Sequence, residues 1–148
     1  MWLISHMKEI HKTFKYHGAE HKTIACYEAE LELTVENVRK QIRFHPRCGT
    51  SFIFLVVLLS IIIGMFLPWK NLWARFGLQL LMLIPETSIG YELIKLAGRY
   101  DNIFTRIISA PGIWLQHITT CEPDDPQIEV AIAALKPCIP ENKEDDKW

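Results

Sequence analysis

Two histidines and a glutamate stand together near the start of the chain, in His17-Gly18-Ala19-Glu20-His21. An α-helix turns about 100° per residue, so these three side chains would share an arc of roughly 100° on one face. Imidazoles one turn apart can close on a single metal ion through their ring nitrogens. A carboxylate beside them can complete the ligand set or take a proton from metal-bound water. His17 and His21 are thus candidate metal ligands and Glu20 a candidate general base. Gly18 works against the helix, costing about 1 kcal/mol relative to alanine.

The order H-x-x-E-H is that of one class of zinc peptidases. By analogy with their downstream glutamate ligand, Glu92, 71 residues after His21, is a candidate third ligand. Alternative donors lie in His45-Pro46-Arg47-Cys48-Gly49, where an imidazole and a thiol three residues apart in a Pro/Gly turn have chelating spacing. A His/Cys set suits zinc before other divalent metals. Three protein ligands plus water would make an open, hydrolytic centre with Glu20 as base. Four protein ligands, with Cys48 among them, would make a closed structural one. Cys26 falls about 180° from His17 on an unbroken helix and cannot join that site.

The elements that must position these residues fall into a sharp pattern. Residues 6–16 alternate basic and apolar positions, as a short amphipathic segment at a membrane surface does. A helix is expected from His17 to about Leu33, and a second, N-capped by Thr34, from Val35 to about Phe44. His45-Pro46 ends it, because the residue before proline is pushed out of the α region. Residues 51–67 carry no charge and would measure about 26 Å as a helix, just enough to span a bilayer. Residues 68–75 read as a short external turn with two interfacial tryptophans, Trp69 and Trp73.

A second apolar segment, residues 76–97, returns across the bilayer with Pro85, Glu86, Glu92 and Lys95 inside it. Ionisable groups at membrane depth are costly and mark functional positions by default. Within 98–137, residues 103–118 are apolar but interrupted by Arg106, Pro111 and Gly112, which fits an interfacial or re-entrant segment. His117, lone on that stretch, reads as structural. Asp125-Pro126 would cap and open a last helix to about Leu135, and residues 138–148 form a charged tail expected to be disordered.

A net charge of −1 in 148 residues, with no basic run interleaved with aromatics, excludes a nucleic-acid binder. The charge is instead segregated. Lys8, Lys12, Lys15, Lys22, Arg39, Lys40, Arg43 and Arg47 precede the uncharged span, whereas the turn after it has only Lys70 and Arg75. The positive-inside rule then puts both termini in the cytoplasm. There the four cysteines would be thiols or metal ligands rather than disulfides. The expected architecture is an all-α membrane protein: a two-helix transmembrane hairpin with cytoplasmic amphipathic helices (residues 1–50) and an interfacial or re-entrant segment.

The strings Tyr16-His17-Gly18-Ala19-Glu20-His21-Lys22-Thr23, Leu33-Thr34-Val35-Glu36-Asn37-Val38-Arg39 and His45-Pro46-Arg47-Cys48-Gly49-Thr50-Ser51-Phe52 resemble the DUF1385 family. So do Gly90-Tyr91-Glu92, Pro111-Gly112-Ile113-Trp114-Leu115-Gln116 and Glu122-Pro123-Asp124-Asp125. The resemblance implies a protein of the bacterial inner membrane, described as a metal-dependent enzyme, with membrane lipid as its surroundings and a divalent metal, zinc foremost, as cofactor. The alternative is a non-catalytic membrane scaffold with a structural metal. Family members look about twice as long, with a glycine-rich portion ahead of the Y-H-G-A-E-H motif. This chain is therefore expected to match the C-terminal half only, as a fragment or with a separate chain supplying the rest. Cys121 stands where the family commonly has a basic residue.

Overall fold

The computed structural model describes residues 7–68, 71–100 and 102–142, all α-helix and connections with no strand among them. Six helices follow in order: α1 (Lys8–Glu28), α2 (Val35–Arg39), α3 (Gly49–Phe66), α4 (Leu72–Arg99), α5 (Ile103–Thr119) and α6 (Asp125–Leu135), then a 3-10 turn over Lys136–Cys138. They divide into two compact units, one of residues 1–45 and 114–148 and one of residues 46–113.

In the first unit α1 packs on α6, and α2 packs on both. The core joins Ala19 and Cys26 of α1, Val38 of α2, and Ile128 and Ile132 of α6. The amphipathic segment and the motif helix are one continuous helix, which stops at Glu28. It ends in a Schellman arrangement, in which the Leu31 N–H donates to Cys26 O and the Glu30 N–H to Tyr27 O. Glu30 takes the left-handed conformation there, at φ 55°, where glycine is usual. Thr34 caps α2 as expected, its hydroxyl accepting from the Asn37 N–H at 3.3 Å.

α2 stops at Arg39 rather than near Phe44. The backbone beyond it bonds elsewhere: Arg39 O accepts from Lys22 Nζ, Arg43 O from His21, and His45 O from Gln116. A helix continuing to Phe44 would have used Arg39 O internally, whereas the carbonyls of its last turn would have needed outside donors in any case. α6 starts at Asp125, the expected cap, because Asp124 stands outside it as the N-cap, with the Gln127 side chain accepting from the Asp124 N–H at 2.8 Å. Of the expected tail, Cys138 closes the 3-10 turn and residues 143–148 lie outside the described residues.

In the second unit α3 and α4 pack against each other. α3 is the one helix among the described residues long and apolar enough to cross a membrane. α4 runs 28 residues straight through Pro85. It begins at Leu72, inside the expected turn, because Asn71 Oδ1 accepts from the Trp73 and Ala74 N–H groups. Trp73 is exposed in its first turn, and Trp69 lies outside the described residues.

Polarity in this pair is inside out. Ile53, Val57, Ile61, Met65, Leu80, Leu81 and Ile84 are exposed, while Glu86 is fully buried and Gln79 reaches Ser60 on the facing helix. α5, expected to break at Pro111-Gly112, is continuous. Asn102 caps its start, accepting from the Phe104 and Thr105 N–H groups at 3.0 Å. At Gly112 a side chain would lie 2.5 Å from Ser51 Cβ, so only glycine admits that approach.

Candidate metal centre

The His17 and His21 rings meet edge to face with centroids 4.4 Å apart, as one helical turn requires, and the His45 ring lies 5.9 Å from that of His21. Each imidazole is oriented by an outer partner. His17 Nδ1–H donates to Thr119 O at 2.9 Å, and His21 Nδ1–H donates to Arg43 O at 2.6 Å. Donation from Nδ1 selects the tautomer whose lone pair is on Nε2, the form in which histidine binds a metal. His45 Nε2 lies 3.2 Å from Glu28 Oε2. His21 and His45 are buried and His17 half-buried.

The scaffold around the rings is built from long-range polar contacts. The Gln116 side chain clasps the backbone of His45, accepting from its N–H at 2.9 Å and donating to its C=O at 2.7 Å. Buried Lys22, next to His21, donates to Arg39 O at 2.9 Å and pairs with Glu122. Arg39 in turn holds Asp125 through both carboxylate oxygens, which raises the guanidinium still further above its ordinary range. Gly18 answers a steric demand: a Cβ there would stand 2.1 Å from the carbonyl oxygen of Cys121, whose N–H donates to Phe14 O. The helix-weakening residue inside the motif is therefore what lets the segment after α5 lie against α1.

The remaining candidates each belong to one of the two units. Glu20 is exposed and lines a groove of about 350 Å³ between α1 and α6, with Tyr16, Thr23, Ile24, Val130 and Ala131. Cys48, the residue before α3, belongs to the second unit, its Sγ 3.0 Å from Thr50 Oγ1. Glu92 is exposed on α4 in that same unit. Cys26 sits in the core on the far side of α1, where burial pushes its thiol up and keeps it a poor ligand. His117 stacks on Phe44 at 4.4 Å, a structural role.

Two residues beside the imidazoles have no role in the sequence reading, which runs the motif face through Ile24 to Glu28 without making Glu28 a donor. Glu28 lies seven residues after His21 and eleven after His17, within about 20° of each on the helix, so its place on the ligand face was legible in the spacing. Gln116 carried no local signal, because its partners lie 71 residues away.

Comparison with known proteins agrees with the motifs. The family model "Protein of unknown function (DUF1385)" matches residues 1–141. The chain is 41% identical over 136 residues to the uncharacterized protein YqhQ of Bacillus subtilis (strain 168), a match covering 91% of this chain and 43% of that protein. No solved structure matches. The expectation of a C-terminal half is corrected on one point: the family domain takes in nearly the whole chain, although the chain spans less than half of the curated relative. On the family match over residues 1–141, the chain belongs to the DUF1385 family.

Proposed function

We propose that this chain is a membrane-anchored metal-binding protein, with α3 and α4 as a two-helix transmembrane hairpin and a divalent ion, zinc foremost, held by His17 and His21. The observation that carries the metal is the pair of Nδ1–H donations to backbone carbonyls, which set both Nε2 lone pairs for ligation. His45 is the third donor, oriented by Glu28. Cys48, three residues further along the chain, is the fourth by sequence position. Such a His/Cys set is a closed, structural zinc site.

A hydrolytic centre is the second reading, with Glu20 as base and Glu92 as third ligand. It draws support from the motif order, while the exposure of Glu20 in the α1–α6 groove favours the structural one. The hairpin is supported by the exposed Ile, Val and Leu side chains on α3 and α4 around a polar interior. On this reading α5, with Ile103, Phe104, Ile107 and Trp114 exposed, lies in the interface. The basic residues before α3 put both ends on the cytoplasmic side of a bacterial inner membrane.

Elemental analysis of the full chain purified in detergent tests the metal. Wild type is expected to carry about one ion per chain, as one such centre requires. His17→Ala and His21→Ala should lose it, and Glu20→Gln should keep it. Metal-free wild type overturns both readings, and loss of metal with Glu20→Gln would make Glu20 a ligand.

A further inference from the structure

The polar seam inside the α3–α4 pair holds a carboxyl group that no cation among the described residues of the seam answers. Glu86 is fully buried; its Oε1 accepts one long hydrogen bond from Gln79 Nε2, at 3.4 Å, and its Oε2 has no hydrogen-bond partner. Gln79 Nε2 also donates to Ser60 Oγ, at 2.5 Å. A buried carboxylate with so little compensation costs several kcal/mol unless a positive charge reaches it.

The described cations of this unit stand away from Glu86. α3 carries no charged side chain at all. On α4, Arg75 stands eleven residues earlier, about 16 Å along the axis, and donates to Gly64 O at 3.2 Å. Half-buried Lys95 is nine residues later, about 13 Å away along the axis, and Glu92 is exposed. Arg47 packs over Gly98, and Arg106 of α5 is exposed.

Space along the seam is narrow. One turn past Glu86, a Cβ on Gly90 would meet Val56 at 3.0 Å and Phe52 at 3.3 Å, and a Cβ on Gly64 would lie 3.5 Å from Gln79 Oε1. What compensates Glu86 must therefore be small and must bind oxygen. We infer that Glu86, with Gln79 and Ser60, forms a binding site for a small monovalent cation, a proton or an alkali-metal ion, inside the α3–α4 helix pair. The inference rests on the packing of α3 against α4 and not on the metal centre. Its failure would leave the histidine site untouched.

The test uses the purified full chain in detergent and dicyclohexylcarbodiimide, an apolar reagent selective for protonated carboxyls. The carboxyl proton passes to a carbodiimide nitrogen while the carboxyl oxygen bonds to its central carbon. Acyl shift to nitrogen then gives an N-acylurea that retains every atom of the reagent. Peptide mass spectrometry should find Glu86 modified several-fold faster than exposed Glu92. If the bound cation is a proton, the rate rises with acidity and ignores salt. If it is an alkali-metal ion, sodium or potassium chloride slows the reaction where choline chloride does not.

A second measurement covers a carboxyl the reagent cannot reach. The thermal midpoint of wild type should respond to pH or to sodium and potassium, and that response should be lost in Glu86→Gln, while any response from the histidine site persists in both. Identical pH and salt responses in wild type and Glu86→Gln overturn the inference, as does Glu86 labelling that is indifferent to both acidity and alkali ions.

Discussion

The two units use the same helical period with opposite polarity. In the first, Ala19, Cys26, Val38, Ile128 and Ile132 close an apolar core, and the charged pairs Lys15–Asp124, Arg39–Asp125 and Lys40–Glu36 lie towards the outside. In the second, Glu86, Gln79 and Ser60 are turned towards the helix contact and the isoleucines, valines and leucines outward. A helix buries whichever face its surroundings solvate worse, so the inversion is what a change of solvent from water to lipid would demand. The candidate metal-ligand histidines belong to the first pattern and the buried carboxyl group to the second. Their polar groups are satisfied accordingly, the histidines by the carbonyls of Arg43, after α2, and Thr119, at the end of α5, and Glu86 by almost nothing.

The hardest test of the first unit is its buried amide. Gln116→Leu removes both partners of the His45 backbone and should cost about 4 kcal/mol, since each stranded buried group costs about 1–3 kcal/mol. The thermal unfolding midpoint of the detergent-solubilised chain reads the loss. A midpoint within error of wild type would show that the clasp does not hold the His45 turn. Metal content should fall with it if His45 is a ligand.

A matched pair of valines, one on each unit, distinguishes a lipid-facing from a water-facing surface. Val57 of α3 is 50% exposed and Val130 of α6 is 52% exposed, so in water arginine at either should change stability by less than about 0.5 kcal/mol. If α3 lies in a bilayer, Val57→Arg should cost about 3 kcal/mol of insertion free energy and Val130→Arg nothing. The readout is the membrane-integrated fraction after alkaline extraction. Equal behaviour of the two variants would remove the contrast between the units.

The smallest expected effect lies at the end of α1. Glu30→Gly relieves a left-handed non-glycine residue and should stabilise the first unit by up to about 1 kcal/mol, raising its thermal midpoint. A lowered midpoint would mean that the glutamate side chain does more there than tolerate its backbone.

Much of this was open to a reader of the sequence. The Thr34 cap, the uncharged helix after Cys48, the shared face of His17 and His21 and the exclusion of Cys26 all follow from spacing and side-chain chemistry over a few residues. What was misread depended on distant partners. α2 stops at Arg39, where the carbonyl that a continuing helix would have used accepts from Lys22 Nζ. α5 continues through Pro111-Gly112, with Ser51 packed against the bare glycine.

That the chain is helical, which helix is apolar enough for a membrane and that two imidazoles share one face follow from period and composition, whereas the ends of α1 and α2 and the continuity of α5 do not. Only the tertiary structure decided how those imidazoles are held, why Gly18 interrupts the motif, and that Glu86 is buried facing Gln79. Each depends on an atom far away in the chain: the carbonyl of Thr119, the carbonyl of Cys121, the hydroxyl of Ser60. Local propensity carries no information about such partners. They are fixed only when the helices pack.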